Sequence, residues 1–300
     1  MSFETPTPTT PAVDDVRAAL YAQLMSVMGF TRSNFVTRCL YPIFHLPVQR
    51  LSRLLVSLDQ GIAASGWNIA VNQFLSHLAT RLELLGEEYI PARGPLMVVC
   101  NHPAALDVVI LAAAVRRDDL KILASDIPLV QMLPYIAWHS IPVYYDTSRR
   151  LQTVRSTIRH LQQGGAILIF PRGNVEPDPA ISPGAVESLA GWSPSIELFL
   201  RQVPQTITVV AVASGMLSAG WYTNPVVRLW KKYEQRQKVA EIFQIASQLL
   251  IGRTPAVTPT VKFSPPLTLA DLGGIGAAEG ALLAGLVDRE RALLQAFPKT

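Results

Sequence analysis

The chain has 300 residues, 49% of them apolar and only 16% charged, with a net charge of +4 and a pI of about 9.2. That length suits one large domain, or a core with appended segments. No stretch reaches the roughly 18 uninterrupted apolar residues of a spanning helix. The richest, Pro95 to Val115, is broken by Asn101, His102, Pro103 and Asp107, so a buried strand followed by a helix is expected there. The mild positive balance fits anionic lipids, phosphorylated substrates or nucleic acid and selects none of them. Two cysteines, Cys39 and Cys100, exclude a disulfide framework and a metal-ligand cluster, and a reduced, cytosol-facing location is the default.

Met1 to Pro11 is rich in Thr and Pro and lacks the basic cluster and apolar core of a secretory signal. Residues 1–12 are expected to be a disordered tail. Residues 13–85 read as mainly helical: Val16, Leu20, Leu24 and Val27 keep helical spacing, as do Leu51, Leu54, Leu55 and Leu58, and then Phe74, Leu78, Leu82 and Leu85. The basic residues here are all arginine, from Arg17 to Arg81. Apolar stripes flanked by arginine suit either a membrane surface or a layer packed on the protein's own core.

Gly86 ends this region, and Ile90 to Pro95 is a turn-rich connector. Short strand-like runs then alternate with helical stretches. Strands are expected at Leu96–Cys100, Lys121–Ala124, Ile141–Tyr145, Ala166–Phe170 and Ile207–Ala213, and helices at Ala104–Val115 and Leu151–Gln162. The alternation predicts an α/β fold: a central mixed sheet flanked by helices, with the helical segment N-terminal to it. The α/β domain is taken as residues 86–270, with core motifs at 95–215 and a closing helix in 271–300. Trp221 to Leu250 differs. Arg228, Lys231, Lys232, Arg236 and Lys238 stand against one acid, Glu234, with Trp230 and Tyr233 interleaved. This reads as a basic amphipathic helix at a lipid interface or as a solvated helix face. Val261-Lys262-Phe263 before Pro265-Pro266 reads as a late edge strand.

The strongest chemical signal is Val98-Val99-Cys100-Asn101-His102-Pro103-Ala104-Ala105-Leu106-Asp107. A buried strand ends at Asn101, and Pro103 suits the first position of a helix. His102 then lies at a helix N-terminus, whose positive dipole end keeps an imidazole neutral, as a general base requires. Asp107 is close enough in sequence to return beside the ring and fix its tautomer. The pair forms the His–Asp half of a triad in which a substrate hydroxyl replaces the serine. His45, His77, His139 and His160 lack this setting and read as packing or surface residues.

Asn101-His102-Pro103-Ala104-Ala105-Leu106-Asp107 resembles the first block of the glycerolipid acyltransferases, a His and an Asp separated by four residues. Gly86 to Pro95 resembles the segment that precedes it. Ser140-Ile141-Pro142-Val143-Tyr144-Tyr145, Phe170-Pro171-Arg172-Gly173-Asn174 and Val209-Val210-Ala211-Val212-Ala213 resemble the later blocks, in the right order. The third block departs from the family's usual Phe-Pro-Glu-Gly-Thr-Arg: Arg172 replaces the Glu, Asn174 the Thr and Val175 the Arg. Tyr144 and Tyr145 stand where the second block usually carries an Arg, with Arg149 and Arg150 the nearest bases. Arg172 is then either an anion contact in a new place or a structural pair for Glu176 or Asp178.

The resemblance implies an O-acyltransferase acting in phospholipid synthesis. His102 would be the catalytic base and Asp107 its orienting acid. Asn101, Arg149, Arg150, Pro171, Arg172, Gly173 and Asn174 would be substrate contacts, with backbone amides around Gly173 as oxyanion donors. It implies no metal and no cofactor beyond an acyl-CoA or acyl carrier protein cosubstrate. The expected partners are that thioester, a lipid or lysolipid acceptor and a membrane surface, with the protein peripheral on the inner, cytoplasmic face. Rivals are weaker. No Gly-x-Ser-x-Gly elbow occurs, and Gly274-Ile275-Gly276 is followed by Glu279 where a dinucleotide loop needs glycine. The basic patch is short for nucleic acid. A non-catalytic lipid-binding protein with a degenerate acyltransferase fold is the serious alternative.

Overall fold

The computed structural model describes residues 11–30, 35–78, 81–144, 146–252 and 257–297. The expected tail lies almost wholly outside them. The elements in chain order are α1 (Val13–Val27), α2 (Phe35–Ser65), α3 (Trp67–Ser76), β1 (Glu83–Leu85), β2 (Leu96–Cys100), α4 (Leu106–Val115), β3 (Lys121–Ser125), α5 (Pro128–Gln131), α6 (Pro134–Trp138), β4 (Ser140–Val143), α7 (Thr147–Gln162), β5 (Ala166–Ile169), α8 (Ala185–Ser188), α9 (Ser195–Gln202), β6 (Ile207–Ser214), α10 (Ala219–Tyr222), α11 (Tyr233–Ile251), β7 (Thr260–Phe263) and α12 (Ala281–Gln295).

The strands form one sheet in the order β1-β7-β6-β2-β5-β3-β4. β6, β2, β5, β3 and β4 are mutually parallel; β7 is antiparallel to β6, and β1 runs parallel to β7. This is the α/β fold with a mixed sheet that the alternation of elements predicts. β2 is fully buried and carries side chains to both faces. Leu96, Val98 and Cys100 join the core under α3 and α4, while Met97 and Val99 join the core under α7, α9 and α12. The period of two along a strand produces that division. A strand buried on both faces reads as an unbroken apolar run, which is why Leu96–Cys100 was visible in the sequence.

Three expectations need correction. Residues 83–85, placed in the helical segment, form β1, which pairs with Thr260–Lys262. Its partner lies far away in sequence, so helical spacing alone misassigned it. β7 is therefore interior to the sheet and not its edge, since β1 covers its outer side. Gly86 follows β1 with φ +80; a Cβ there would come within 2.7 Å of the Phe263 carbonyl, so the turn requires glycine. Finally, residues 221–250 are not one helix. α10 ends before Asn224-Pro225, a short 3₁₀ turn covers Val227–Leu229, and α11 starts at Tyr233. A residue before proline is steered out of helical backbone geometry, so the basic residues fall on a turn and a helix, not along one helical face.

The N-terminal helices pack on the rest of the protein. Met25, Met28, Phe44 and Val48 share a core with Val239, Ala240 and Ala246 of α11. Leu58 and Ile62 of α2 and Trp67 and Val71 of α3 join the core on the α4 side of the sheet. Tyr41, Ile43 and Leu46 of α2 remain exposed. Among the described residues no helix is long and apolar enough to cross a membrane.

Candidate active site

The site forms where β2 ends. β2 lies between β6 and β5, and the chain leaves it for β3 on the far side of β5. In open parallel sheets such a point opens a crevice beyond the carboxyl ends of the strands. Asn101 closes the strand. Its side chain donates to the Ala213 carbonyl at 3.0 Å and accepts the Ala213 N–H at 2.8 Å. It extends the β2–β6 ladder by one side-chain pair.

His102 and Asp107 come together. Nδ1 lies 3.0 Å from Asp107 Oδ1 and 3.1 Å from Oδ2. A carboxylate can only accept, so Nδ1 carries the proton of the neutral ring and Nε2 keeps its lone pair. Asp107 is fully buried, while the His102 side chain is 22% exposed. The carboxylate is thus the inner member of the pair and the imidazole the partly exposed one. The Phe170 ring packs against His102 with centroids 4.3 Å apart. Ala104 N–H also donates to Asp107 Oδ2 at 3.1 Å, drawing the turn tight.

The local geometry differs from the expected one in two ways. Helix α4 starts at Leu106, not at Pro103, so His102 precedes it by a bent turn. Nor is the pKa of the imidazole lowered. Burial disfavours its charged form, but Asp107 at Nδ1, with Glu241 and Glu176 behind it, outweighs burial and raises its pKa above 6.5.

In the sequence Glu241 went unremarked, and Glu176 entered only as a possible partner of Arg172. Glu176 Oε2 accepts the His102 N–H at 3.1 Å, and Glu176 N–H donates to the His102 carbonyl at 2.8 Å. Its other oxygen accepts from Ser188 Oγ at 3.0 Å and Trp192 Nε1 at 3.1 Å. Glu241 of α11 accepts the N–H groups of Ala105 and Leu106, both at 2.9 Å. Burial, opposed by those two bonds, pushes its carboxyl up to about 7. Asp178, also fully buried, accepts from Gly215 and Met216 N–H at 2.8 Å each and Leu217 N–H at 3.2 Å, joining the loop after β5 to the loop after β6. Glu290 of α12 is fully buried beneath Asn101 and Cys100, and burial raises its pKa.

The third-block residues follow Phe170 and so lie beside the imidazole. The Pro171 carbonyl accepts Ser193 N–H at 3.0 Å. Gly173 has φ +66 and no atom within 4 Å of where a Cβ would stand. Its own N–H donates to the Phe170 carbonyl at 3.0 Å, so it is engaged in the turn and not offered to an oxyanion. Asn174 Oδ1 accepts Val175 N–H at 2.9 Å and Lys238 Nζ at 3.1 Å. Arg172 pairs with neither Glu176 nor Asp178. Its guanidinium donates to the Val175 carbonyl at 2.8 Å, to Tyr233 Oη and to Glu234 at 3.4 Å. It ties the third block to the first turn of α11. Arg149 and Arg150 open α7, beyond the edge strand β4. Arg149 lies 3.6 Å over the Tyr144 ring and 3.8 Å from Asp126, and Arg150 is exposed. Tyr145 lies outside the described residues.

His139 is buried, stacks on Trp67 with ring centroids 4.0 Å apart, and is pushed by burial down to about 4. His160 Nε2 lies 2.8 Å from the Asp119 carbonyl. Both serve packing. Among the described residues no group of His, Cys, Asp and Glu could hold a metal ion.

No curated protein matches the chain. Among solved structures it is similar to PlsC, the 1-acyl-sn-glycerophosphate (LPA) acyltransferase of Thermotoga maritima, at 14% identity and a TM-score of 0.49, covering 93% of this chain and 98% of that one. Residues 81–215 match the family model described as Acyltransferase. This segment spans β1 to β6 and contains His102, Asp107 and Glu176.

Proposed function

We propose that this domain moves a fatty acyl group from a thioester, acyl-CoA or acyl carrier protein, to a hydroxyl of a glycerolipid-type or other lipid acceptor. The observation that carries this reading is the His102–Asp107 pair: Nδ1 is bonded to a buried carboxylate, which leaves Nε2 with its lone pair on a side chain that is partly exposed. Nε2 takes the proton from the acceptor hydroxyl as its oxygen attacks the thioester carbonyl. Asp107 stabilises the imidazolium that forms. The tetrahedral oxyanion needs a donor. Gly173 N–H is engaged, so this role falls to the Asn174 N–H in the same open turn. The carbon–sulfur bond then breaks, and His102 returns the proton to the leaving thiolate. Ester and thiol are the products, and atoms and charge balance with no metal or other cofactor.

The acceptor is less constrained than the reaction. Arg172 is held by Val175, Tyr233 and Glu234. Arg149 and Arg150 sit at the far edge of the sheet. Neither set forms a ready-made phosphate clamp at the imidazole, which favours a wider acceptor class than phosphorylated lysolipids. We also assign the protein to a membrane surface, peripheral on its cytoplasmic face. Val226 and Leu229 are 52% and 70% exposed, beside the exposed bases Arg228, Lys231 and Lys232. Apolar residues set among cations match an anionic bilayer.

The test is an acylation panel. Purified protein is incubated with labelled acyl-CoA or acyl carrier protein and with lysophosphatidic acid, other lysolipids and long-chain alcohols. Labelled ester on at least one lipid acceptor is expected. A folded protein inert with every donor and acceptor favours the non-catalytic lipid-binding alternative.

A further inference from the structure

Helix α11 carries a buried polar stripe. Gln237, Glu241, Gln244 and Gln248 repeat at helical spacing and are all buried. Each is bonded to loop backbone. Gln237 Nε2 donates to the Pro103 carbonyl at 2.9 Å and to the Glu176 carbonyl at 2.8 Å. Glu241 takes the N–H groups of Ala105 and Leu106. Gln244 Oε1 accepts Ser218 N–H at 2.7 Å, and its Nε2 donates to the Met216 carbonyl at 3.0 Å. Gln248 Nε2 donates to the Leu78 carbonyl at 3.0 Å.

The segment between His102 and Asp107 is Pro103-Ala104-Ala105-Leu106, with no polar side chain of its own. The residue that caps α4, Ala105, makes no side-chain cap. A helix start without a cap leaves N–H groups unpaired and its first turn loose. Here the cap comes from another helix. Asp107 is in that first turn, so the distance from its carboxylate to the His102 ring depends on how the turn is held.

We propose that Glu241 is a positioning residue for the acyl transfer: from α11 it fixes the first turn of α4 and thereby the His102–Asp107 pair. The inference rests on the assignment of His102 as the base. Glu241 does not touch reacting atoms and acts through the turn. It also faces His102 with its charge. The charged and titratable groups around this turn are Asp107 of α4, Glu176 of the loop after β5, with Arg172 beside it, Glu241 of α11 and, beneath Asn101, Glu290 of α12.

Two variants test this. Glu241→Ala removes both bonds and the charge. Glu241→Gln keeps one acceptor oxygen and the shape but removes the charge. With Glu241→Ala, kcat should fall about tenfold to a hundredfold, with the KM of donor and acceptor within about twofold, because a misplaced base costs rate more than binding. Glu241→Gln should recover most of kcat. In it the acid limb of the kcat/KM profile, and the NMR titration midpoint of the His102 ring, should move to lower pH. A folded Glu241→Ala with unchanged kcat overturns the proposal, as does a loss confined to KM. So does a His102 midpoint that stays in place in Glu241→Gln. If Glu241→Ala does not fold, the Gln variant decides through the midpoint. If the wild type transfers no acyl group, the reaction assignment fails, while the midpoint still reads the coupling of Glu241 to His102.

Discussion

Glu176 grips the His102 peptide from both sides: its carboxylate accepts the His102 N–H at 3.1 Å and its own N–H donates to the His102 carbonyl at 2.8 Å. The residue that follows β2 is thereby fastened to the loop that follows β5. With Asp107 on the ring and Glu241 on the adjacent turn, the base is held by three carboxyl groups from three different segments.

Removing the grip should cost stability. Glu176→Ala strands the His102 N–H and the Trp192 indole N–H, with an expected loss of about 2–5 kcal/mol. Denaturant unfolding measures it. Glu234→Ala, which removes a half-buried partner of Arg172 at 3.4 Å, should cost under about 1 kcal/mol. Equal effects of the two variants would contradict the grip.

Arg172 ties the third block to α11. Arg172→Ala should lower stability by about 1–2 kcal/mol while leaving the acceptor KM within about twofold. Parallel melts and steady-state kinetics read both. An acceptor KM that rises well beyond the donor KM would place Arg172 in the acceptor site instead.

Stability should fall as pH rises through neutrality. Glu241 titrates near 7 in the folded protein against 4.5 for the free group, and His102 is also raised above its ordinary 6.5. In both cases the folded state binds the proton more tightly. Their stabilising contribution is complete below the unfolded pKa and is lost as pH climbs through the folded one. His139, held near 4, opposes this loss below its ordinary 6.5, so melting temperature should decline between about pH 6.5 and 8, and Glu241→Gln should flatten that decline. A wild-type melting temperature that rises across this window would contradict the burial-driven shift.

Membrane attachment should be electrostatic with an apolar contact. Sedimentation with anionic vesicles should capture the protein at low salt and release it as salt rises. Leu229→Asp should weaken capture about tenfold, since it replaces an exposed apolar side chain by a charge repelled by the bilayer. Capture indifferent to salt and to lipid charge would contradict the assignment.

What the sequence disclosed was local. β2 is an unbroken apolar run because both of its faces are buried, and the His102–Asp107 pair was legible because its bond spans five positions. The residues that hold the pair were not. Glu176 reaches His102 across 74 positions, and Glu241 and Gln237 reach Ala105, Leu106 and Pro103 across 134 to 136. The same trans capping recurs elsewhere: Asp59 accepts Tyr135 and Ile136 N–H at 2.9 Å each, and Glu197 accepts Gly280 and Leu283 N–H. None of the helices so capped has a capping side chain at its own start. A carboxylate donated from another element leaves no fixed-offset signature, and in α11 the run of bases drew attention from the glutamine and glutamate face. β1 was hidden for a related reason, because a three-residue strand is specified by a partner far along the chain.

The central claim is that His102 is the base of an acyl transfer, and one substitution tests it most directly. Turnover of an accepted lipid with labelled thioester is measured for the wild type and for His102→Ala, with the fold of the variant verified by its melting curve. The account predicts that kcat falls by about three to four orders of magnitude in the variant, the range seen when a base of this kind is lost. Turnover that persists within tenfold of the wild type in a folded His102→Ala protein would contradict it.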